Sequence, residues 1–304
     1  MKSTKNAKPG LILFLILVCF HVSCAGQKPG AAIVFSGSTP GDDEVKEILH
    51  IPASTVVDFM RWKLAFTEDD GFLLNISYGE SKPNTLGFKE EHLLSLMGNY
   101  QMTEKVINGQ SSKAYTLTTS QLKNSLQFKV IHGGLLHLLD SQGHLKVGNG
   151  GWSYNLNKST DVKNEEILWV SDVSDEKHNE MVFDGRTPCQ PFAKEHPEMD
   201  VSEACFKLKW KLILKRNPQS LEAEDYIIRK VVDGRPQEVT GKWEIRHGLP
   251  DRPNAIIYVI EPDKPAESFA LLAADNNILY FLNKEMLPLI GNEDFSFTLN
   301  RRIP

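Results

Sequence analysis

Cysteine is the residue type with the clearest chemical options in this chain. Cys189 and Cys205 lie in the body of the sequence, sixteen residues apart (205 − 189). In an exported protein an isolated pair of this kind predicts a disulfide, which for a loop of that size is worth about 3 kcal/mol. The alternative is a redox-active pair, or a pair of thiolates that binds a soft metal such as copper.

Cys24 offers a different chemistry, because it follows a typical export leader. Three lysines in the first eight residues precede an apolar run at 11–20, which is too short to span a membrane as a finished helix. Ser23 and Cys24 resemble the lipobox of bacterial lipoproteins, in which the cysteine receives a lipid and becomes the new N-terminus. The sequence therefore predicts lipid attachment at Cys24, with ordinary leader cleavage near Ala25 as the alternative.

The sequence contains no motif typical of an enzyme. GxSxG, HExxH and a phosphate-binding glycine loop are missing, and no cysteine has an evident base beside it. The nine histidines are scattered, although His132, His137 and His144 fall near one predicted hairpin. We interpret these three as surface histidines, with a weak metal site as the alternative. The sequence predicts no catalytic activity and no cofactor other than possible copper.

Two stretches of alternating side chains indicate the elements that must position these residues. In stretch 206–214, apolar residues alternate with lysines, which is the pattern of a half-buried antiparallel strand. Stretch 60–66 has the same pattern upstream. Both patterns predict strands that turn one face towards a core.

The sequence contains two copies of one long internal repeat. Segment 133–147 matches segment 276–290 at a constant offset of 143 (276 − 133), and Trp62 matches Trp210 at an offset of 148 (210 − 62). Repeats of this length predict two domains of one fold rather than a solenoid. In this alignment Ile51–Ser54 of the first copy stands where the second copy has its cysteines.

Each copy contains short predicted strands separated by turn residues, which favours a meander closed into a small barrel. We therefore expect an all-β protein with two tandem, small, antiparallel, lipocalin-like β-barrels. Glycine, proline and serine in the segment before the first copy predict a flexible tether. The predicted boundaries are 1–23 for the signal peptide, 24–46 for the tether, 47–158 for the first barrel, 159–181 for a polar linker and 182–304 for the second barrel.

Five aromatic side chains are candidates for the barrel interiors. Small barrels are filled by their own side chains, so a solid core is the plainer interpretation. The alternative is a cavity that carries a small apolar ligand, as in a lipocalin-like carrier. The five are Trp62, Trp210, Trp243, Phe295 and Phe297.

The charge pattern argues against nucleic acid as a partner. The net charge is −5, and no basic run is interleaved with aromatic residues. Apart from the leader, no apolar run is long enough to cross a bilayer. A membrane partner is therefore expected only through the lipid at Cys24.

A series of short motifs in the second copy resembles a known family. In chain order they are Asp184–Cys189, Cys205 with the alternating strand, Gly241–Trp243, Leu279–Leu289 and Phe297–Arg301. They resemble the NlpE family of outer-membrane lipoproteins linked to copper resistance, whose CxxC cysteines match Cys189 and Cys205 at a wider spacing here. The resemblance implies a lipocalin-like barrel anchored at the outer membrane and facing the periplasm. It also implies an envelope-protein partner and a non-enzymatic role in envelope stress or copper homeostasis.

Overall fold

The chain folds into two closed antiparallel β-barrels in a computed structural model, which confirms the predicted fold class. The structure describes residues 33–83, 85–107, 110–159, 169, 178–197, 201–249, 252–261, 263–264 and 268–302. The first barrel contains β1 (Ile33–Pro40), α1 (Asp43–Ile48), β2 (Phe59–Phe66), β3 (Gly71–Gly79), β4 (His92–Ile107), β5 (Gln110–Thr118), β6 (Leu126–His132), β7 (Leu135–Leu138) and β8 (Asn155–Lys158). The second contains β9 (Glu180–Pro188), α2 (Cys189–Glu195), β10 (Lys207–Arg216), β11 (Ala223–Val232), β12 (Arg235–Leu249), β13 (Arg252–Ile260), β14 (Phe269–Ala273), β15 (Ile278–Leu282) and β16 (Thr298–Arg301).

Each barrel is a meander in which successive strands pair with one another. The first barrel closes where β8 returns to β1, with Ser36 opposite Asn157. The second closes where β16 returns to β9, with Asn300 opposite Asp184. Closure pairs the two edges that an open sheet would expose to other chains.

The two alternating stretches form the second strand of each barrel. In β2 the apolar residues other than Ala65 are buried, and Arg61 and Lys63 lie on the outer face; β10 repeats this arrangement with its lysines. Phe206 is the exception, because it precedes β10 and is 38% exposed. It packs near the ring of Phe295, with 6.5 Å between the centroids, so its predicted place in the buried alternation is wrong.

The predicted tether is wrong for residues 33–46. Residues 33–40 form β1, and α1 starts at Asp43 with its N-cap at Asp42. Gly37, which suggested flexibility, lies where a Cβ would come within 2.2 Å of the Asn155 carbonyl oxygen. The glycine is thus needed where β1 crosses closely over β8. Residues 24–32, like the signal peptide, lie outside the described residues.

The linker was predicted to end at residue 181, but β9 already begins at Glu180, so the predicted C-terminal boundary of the linker is slightly too late. Most of the linker lies outside the described residues. Within it, the Trp169 backbone N–H donates a 2.8 Å hydrogen bond to the carbonyl oxygen of Ile131. Trp169 also packs against a cluster of apolar residues between the barrels.

That cluster joins the two barrels, which belong to one compact unit. Each barrel has its own apolar core. The third cluster combines Ile131, Leu135 and Leu145 of the first barrel with residues of the second that include Ile257 and Leu272. The barrels are therefore fixed to each other by buried surface as well as by chain connection.

Candidate functional site

The two body cysteines form a disulfide, with 5.7 Å between their Cα atoms. Cys189 is the first residue of α2, and Cys205 lies just before β10. Both side chains are buried in the core of the second barrel. The disulfide therefore fixes the segment that contains α2 across one end of the barrel.

The first barrel has a glycine and a valine where the second has its disulfide. At the offset of 148, Cys189 corresponds to Gly41 and Cys205 to Val57 (205 − 57). A Cβ on Gly41 would lie 2.3 Å from a methyl carbon of Val57, so the two residues are in close contact. The assignment of Ile51–Ser54 to this place is wrong, because the segment between the strands has the same length in both copies.

The interior of the second barrel is occupied by aromatic rings. Phe192 projects from α2 and has its ring centroid 5.1 Å from that of Trp210 and 5.5 Å from that of Phe281. Its contacts extend to Phe269 and Phe297. Phe192 is 2% exposed and closes this end of the barrel with its own side chain.

The five predicted aromatic residues divide into two groups. Trp62 lies in the core of the first barrel, and Trp210, Trp243 and Phe297 lie in the core of the second. Phe295 is buried but stands outside that core, against Phe206 at the barrel end. Its predicted place in the interior lining is therefore wrong.

Each barrel contains the same buried hydrogen bond from a tryptophan to a threonine. The Trp62 indole nitrogen donates to the Thr39 hydroxyl at 2.8 Å, and the Trp210 indole nitrogen donates to the Thr187 hydroxyl at 2.9 Å. The sequence analysis missed both threonines. The repeated Gly-x-Thr-Pro at the offset of 148 could have identified them.

A buried polar network lies at the junction of the barrels, centred on two residues at equivalent positions. His137 Nδ1 is 2.7 Å from the Tyr280 hydroxyl, and His137 Nε2 is 2.8 Å from the Lys146 carbonyl oxygen. Because a carbonyl oxygen only accepts, Nε2 carries the proton and Nδ1 accepts from Tyr280. Burial lowers the pKa of His137 to about 4, against a smaller opposing effect of the bond to Lys146. The imidazole is therefore neutral at pH 7.

Asn155 and Thr298 extend this network. The Asn155 amide nitrogen is 3.1 Å from His137 Nδ1, and its amide oxygen accepts a 3.0 Å hydrogen bond from the Thr298 hydroxyl. Burial raises the pKa of Tyr280 well above its usual value, although the hydrogen bond with Asn155 opposes this shift. All four side chains are shielded from solvent. The arrangement joins the two barrels through buried side-chain hydrogen bonds.

The interpretation of three surface histidines is wrong for two of them. His132 is 4% exposed and His137 is fully buried. The side chain of His144 remains 71% exposed. Among the described residues, no group of three or more histidine, cysteine, aspartate or glutamate side chains is arranged to hold a metal ion.

Further hydrogen bonds cross the junction reciprocally. Asn157 accepts from the Gly291 backbone N–H at 2.9 Å, and Asn300 accepts from the Gly148 backbone N–H at 2.8 Å. Both pairs are related by the offset of 143 (300 − 157). In each barrel, an asparagine at the equivalent position therefore accepts a hydrogen bond from the equivalent loop of the other barrel.

A row of apolar side chains crosses the outer face of the first barrel. Val34, Ala65, Leu73 and Met97 are direct cross-strand neighbours on β1 to β4. Met97 is 69% exposed, and Leu93 on the same face of β4 is 77% exposed. Val34 and Ala65 in the same row are only partly exposed.

Cys24, the predicted lipid-attachment residue, lies outside the described residues. The helices that the structure describes include none of the length and apolarity that crossing a membrane requires. Comparison of the chain with protein-family models, curated proteins and solved structures finds no match.

Proposed function

We propose that this chain is a non-enzymatic interaction module of the cell envelope, held by a lipid at Cys24 and similar in role to the NlpE lipoproteins. The observation that carries the proposal is the filled second barrel, in which Phe192 packs on Trp210 and Phe281. An interior occupied by its own side chains leaves recognition to the outer surface.

The disulfide between Cys189 and Cys205 supports an envelope location. Disulfides persist in oxidising compartments such as the periplasm and are rare in the bacterial cytosol. Together with the predicted export leader, this supports an exported protein, and the resemblance to NlpE adds the outer membrane and its periplasmic face to the proposal. In this location, we propose that the chain senses envelope stress.

Anchoring can be tested by labelling cells that export the chain with a clickable palmitate analogue. We expect label on the wild-type chain and none on Cys24→Ala, because only the cysteine thiol can carry the lipid at that position. Ser23→Ala is the matched control, since it changes the neighbouring residue and keeps a small side chain before the cysteine. Equal labelling of Cys24→Ala would contradict the anchor.

The apolar row on β1 to β4 is the surface we propose for a protein partner. Met97 lies at its exposed end, whereas Lys284 is an exposed residue that follows β15 in the second barrel. A photo-crosslinking residue at position 97 should give a discrete adduct in intact cells, and the same residue at position 284 should not. Identical adduct patterns from the two positions would count against this surface.

Carriage of a small apolar ligand is the competing function, and Phe192 allows the two to be separated. Phe192→Ala removes the side chain that closes the barrel end and should leave a cavity. We expect the fluorescent probe N-phenyl-1-naphthylamine to bind this variant and not the wild type. Saturable, one-to-one binding by the wild type would favour the carrier.

A copper role is a separate part of the proposal and depends on reduction of the disulfide. Copper(I) prefers thiolate ligands, and the disulfide sulfurs of Cys189 and Cys205 carry no thiolate. The reduced protein should therefore bind Cu(I) and the oxidised protein should not. If Cys205→Ser binds Cu(I) as well as the reduced wild type, the pair is structural only.

A further inference from the structure

The two barrels present equivalent loops to each other, and these loops differ in charge. Residues 291–294 of the second barrel lie against β1 and β2 of the first, where the Ser38 hydroxyl donates to the Glu293 carbonyl oxygen at 2.8 Å. At the offset of 143, residues 148–151 of the first barrel lie against β9. A Cβ on Gly151 would be 3.5 Å from the Arg186 guanidinium carbon.

On the first of these contacts the charges are balanced. Arg61 forms a 2.5 Å ion pair with Asp294, and both side chains are mostly buried. The equivalents are Lys209, which follows Arg61 by 148 (209 − 61), and Gly151, which precedes Asp294 by 143 (294 − 151). The contact between residues 148–151 and β9 therefore has Gly151 at the position where the other contact has the Asp294 carboxylate.

The second contact also contains additional cations. Arg186 takes the place of Ser38 and lies directly opposite Lys209 on the paired strand. Lys207 takes the place of Phe59. Within the described residues, no carboxylate forms an ion pair with Arg186, Lys207 or Lys209. Asp184, two residues before Arg186 on β9, pairs with Arg302 at 2.7 Å.

Aromatic rings contact two of these cations. The Arg186 guanidinium lies 5.0 Å from the centroid of the Trp152 ring, and the Lys207 ammonium lies 4.8 Å from that of Phe206 and 5.9 Å from that of Phe295. Burial, and then the charges of Arg186 and Lys209, lower the pKa of Lys207. Like charges opposite each other weaken a sheet, so the cluster costs stability unless an anion is bound.

We propose that Arg186, Lys207 and Lys209, beside Gly150 and Gly151, form a binding site for a polyvalent phosphate group. A guanidinium matches two phosphate oxygens at once, and the two ammonium groups add charge without fixed geometry. Both glycines pack closely on this face, since a Cβ would lie 2.8 Å from Asp184 Cβ at Gly150 and 3.1 Å from Asn149 Oδ1 at Gly151. A surface cavity of about 410 Å³, lined by Lys209, Lys211 and Arg229 among others, adjoins the cluster and offers room for the rest of the ligand.

The test is binding of pyrophosphate to the purified protein, measured by calorimetry at low ionic strength. Gly151→Asp restores the carboxylate that Asp294 supplies on the other contact, and it should weaken binding by roughly tenfold or more because the cations gain an internal partner. Gly151→Asn has nearly the same size without charge and should bind like the wild type. The backbone of Gly151 is outside the left-handed region, and an added Cβ would lie 3.1 Å from Asn149 Oδ1, so the Asn149 side chain must shift by a few tenths of an ångström in both variants.

Lys209→Gln provides a second variant if Gly151→Asp does not fold, and it should also weaken binding by roughly tenfold. Vesicles of phosphatidylcholine with or without phosphatidic acid, whose phosphomonoester can carry two charges, then identify the source of the phosphate. Binding to the anionic vesicles that is lost in Lys209→Gln indicates a lipid headgroup, whereas binding to pyrophosphate alone indicates a soluble ligand. Absence of saturable binding to both probes, or equal binding by wild type and Lys209→Gln, overturns the proposal.

Discussion

Thr39 accepts a 2.8 Å hydrogen bond from the indole nitrogen of Trp62, and this bond links the first two strands of the first barrel inside its core. Both side chains are at most 1% exposed, so water cannot replace either partner. Trp210 and Thr187 repeat the bond in the second barrel. The threonine therefore satisfies the polar atom of a large core residue in both copies.

Replacement of Thr39 or Thr187 by valine should destabilise the protein. Valine keeps the shape but leaves the buried indole N–H without an acceptor, at a cost of about 1–3 kcal/mol. Urea unfolding measures this loss, and the serine variants are the controls because they retain the hydroxyl. Equal stability of the valine and serine variants at both positions would show that the bond contributes nothing.

The strands could be predicted from the sequence because burial on one face imposes a period of two. Trp62 and Trp210 lie as that pattern predicts. β1 was missed because composition rich in glycine and serine also describes a disordered segment. Gly37 is there for the close approach of β8, a long-range contact that local composition does not encode.

The junction between the barrels was harder to predict than either barrel. His137 and Tyr280 share the offset of 143, and so do Asn155 and Thr298, but a repeat shows equivalence and not contact. Each copy could have folded with these polar residues exposed. The structure brings them together because the apolar faces of both barrels bury each other around the network.

Asn300→Ala should weaken the junction. The substitution leaves the Gly148 backbone N–H without its 2.8 Å acceptor and should cost about 1–3 kcal/mol if that group stays buried. Asn157→Ala is the matched variant on the reciprocal contact with Gly291. Thermal unfolding measures both. We expect similar losses, and an unchanged melting temperature in both variants would contradict a structural role for the reciprocal bonds.

Reduction of the disulfide should destabilise the second barrel. The sixteen-residue separation of Cys189 and Cys205 gives an expected loss of about 3 kcal/mol, because the unfolded chain regains the freedom that the cross-link removes. Urea unfolding with and without dithiothreitol measures this effect. The double variant Cys189→Ala/Cys205→Ala is the control and should not respond to the reductant. A wild-type midpoint that does not change on reduction would contradict the prediction.

Gly41→Ala tests the equivalent contact in the first barrel. The added methyl group would lie 2.3 Å from a Val57 methyl carbon and 2.7 Å from the Val57 carbonyl oxygen, so the backbone must shift. Overpacking of this kind costs about 1–3 kcal/mol. Gly143→Ala is an exposed comparison with nothing near its Cβ, although its positive φ adds some strain. Chemical unfolding should show the larger loss for Gly41→Ala, and the reverse order would be evidence against close packing of Val57 on Gly41.

The neutral His137 at the junction should make stability depend on pH. Its pKa falls from 6.5 to about 4 on folding, so between these values the unfolded chain binds a proton that the native protein excludes. Stability is therefore unaffected by this group above about pH 7 and decreases as the pH falls towards 4, by about 3 kcal/mol in total. Unfolding free energies at pH 7.5 and pH 4.5 measure the decrease. His137→Gln, which can still accept from Tyr280 and donate to the Lys146 carbonyl, should lose most of the difference between the two values. An equal decrease in wild type and variant would assign the pH dependence to other groups.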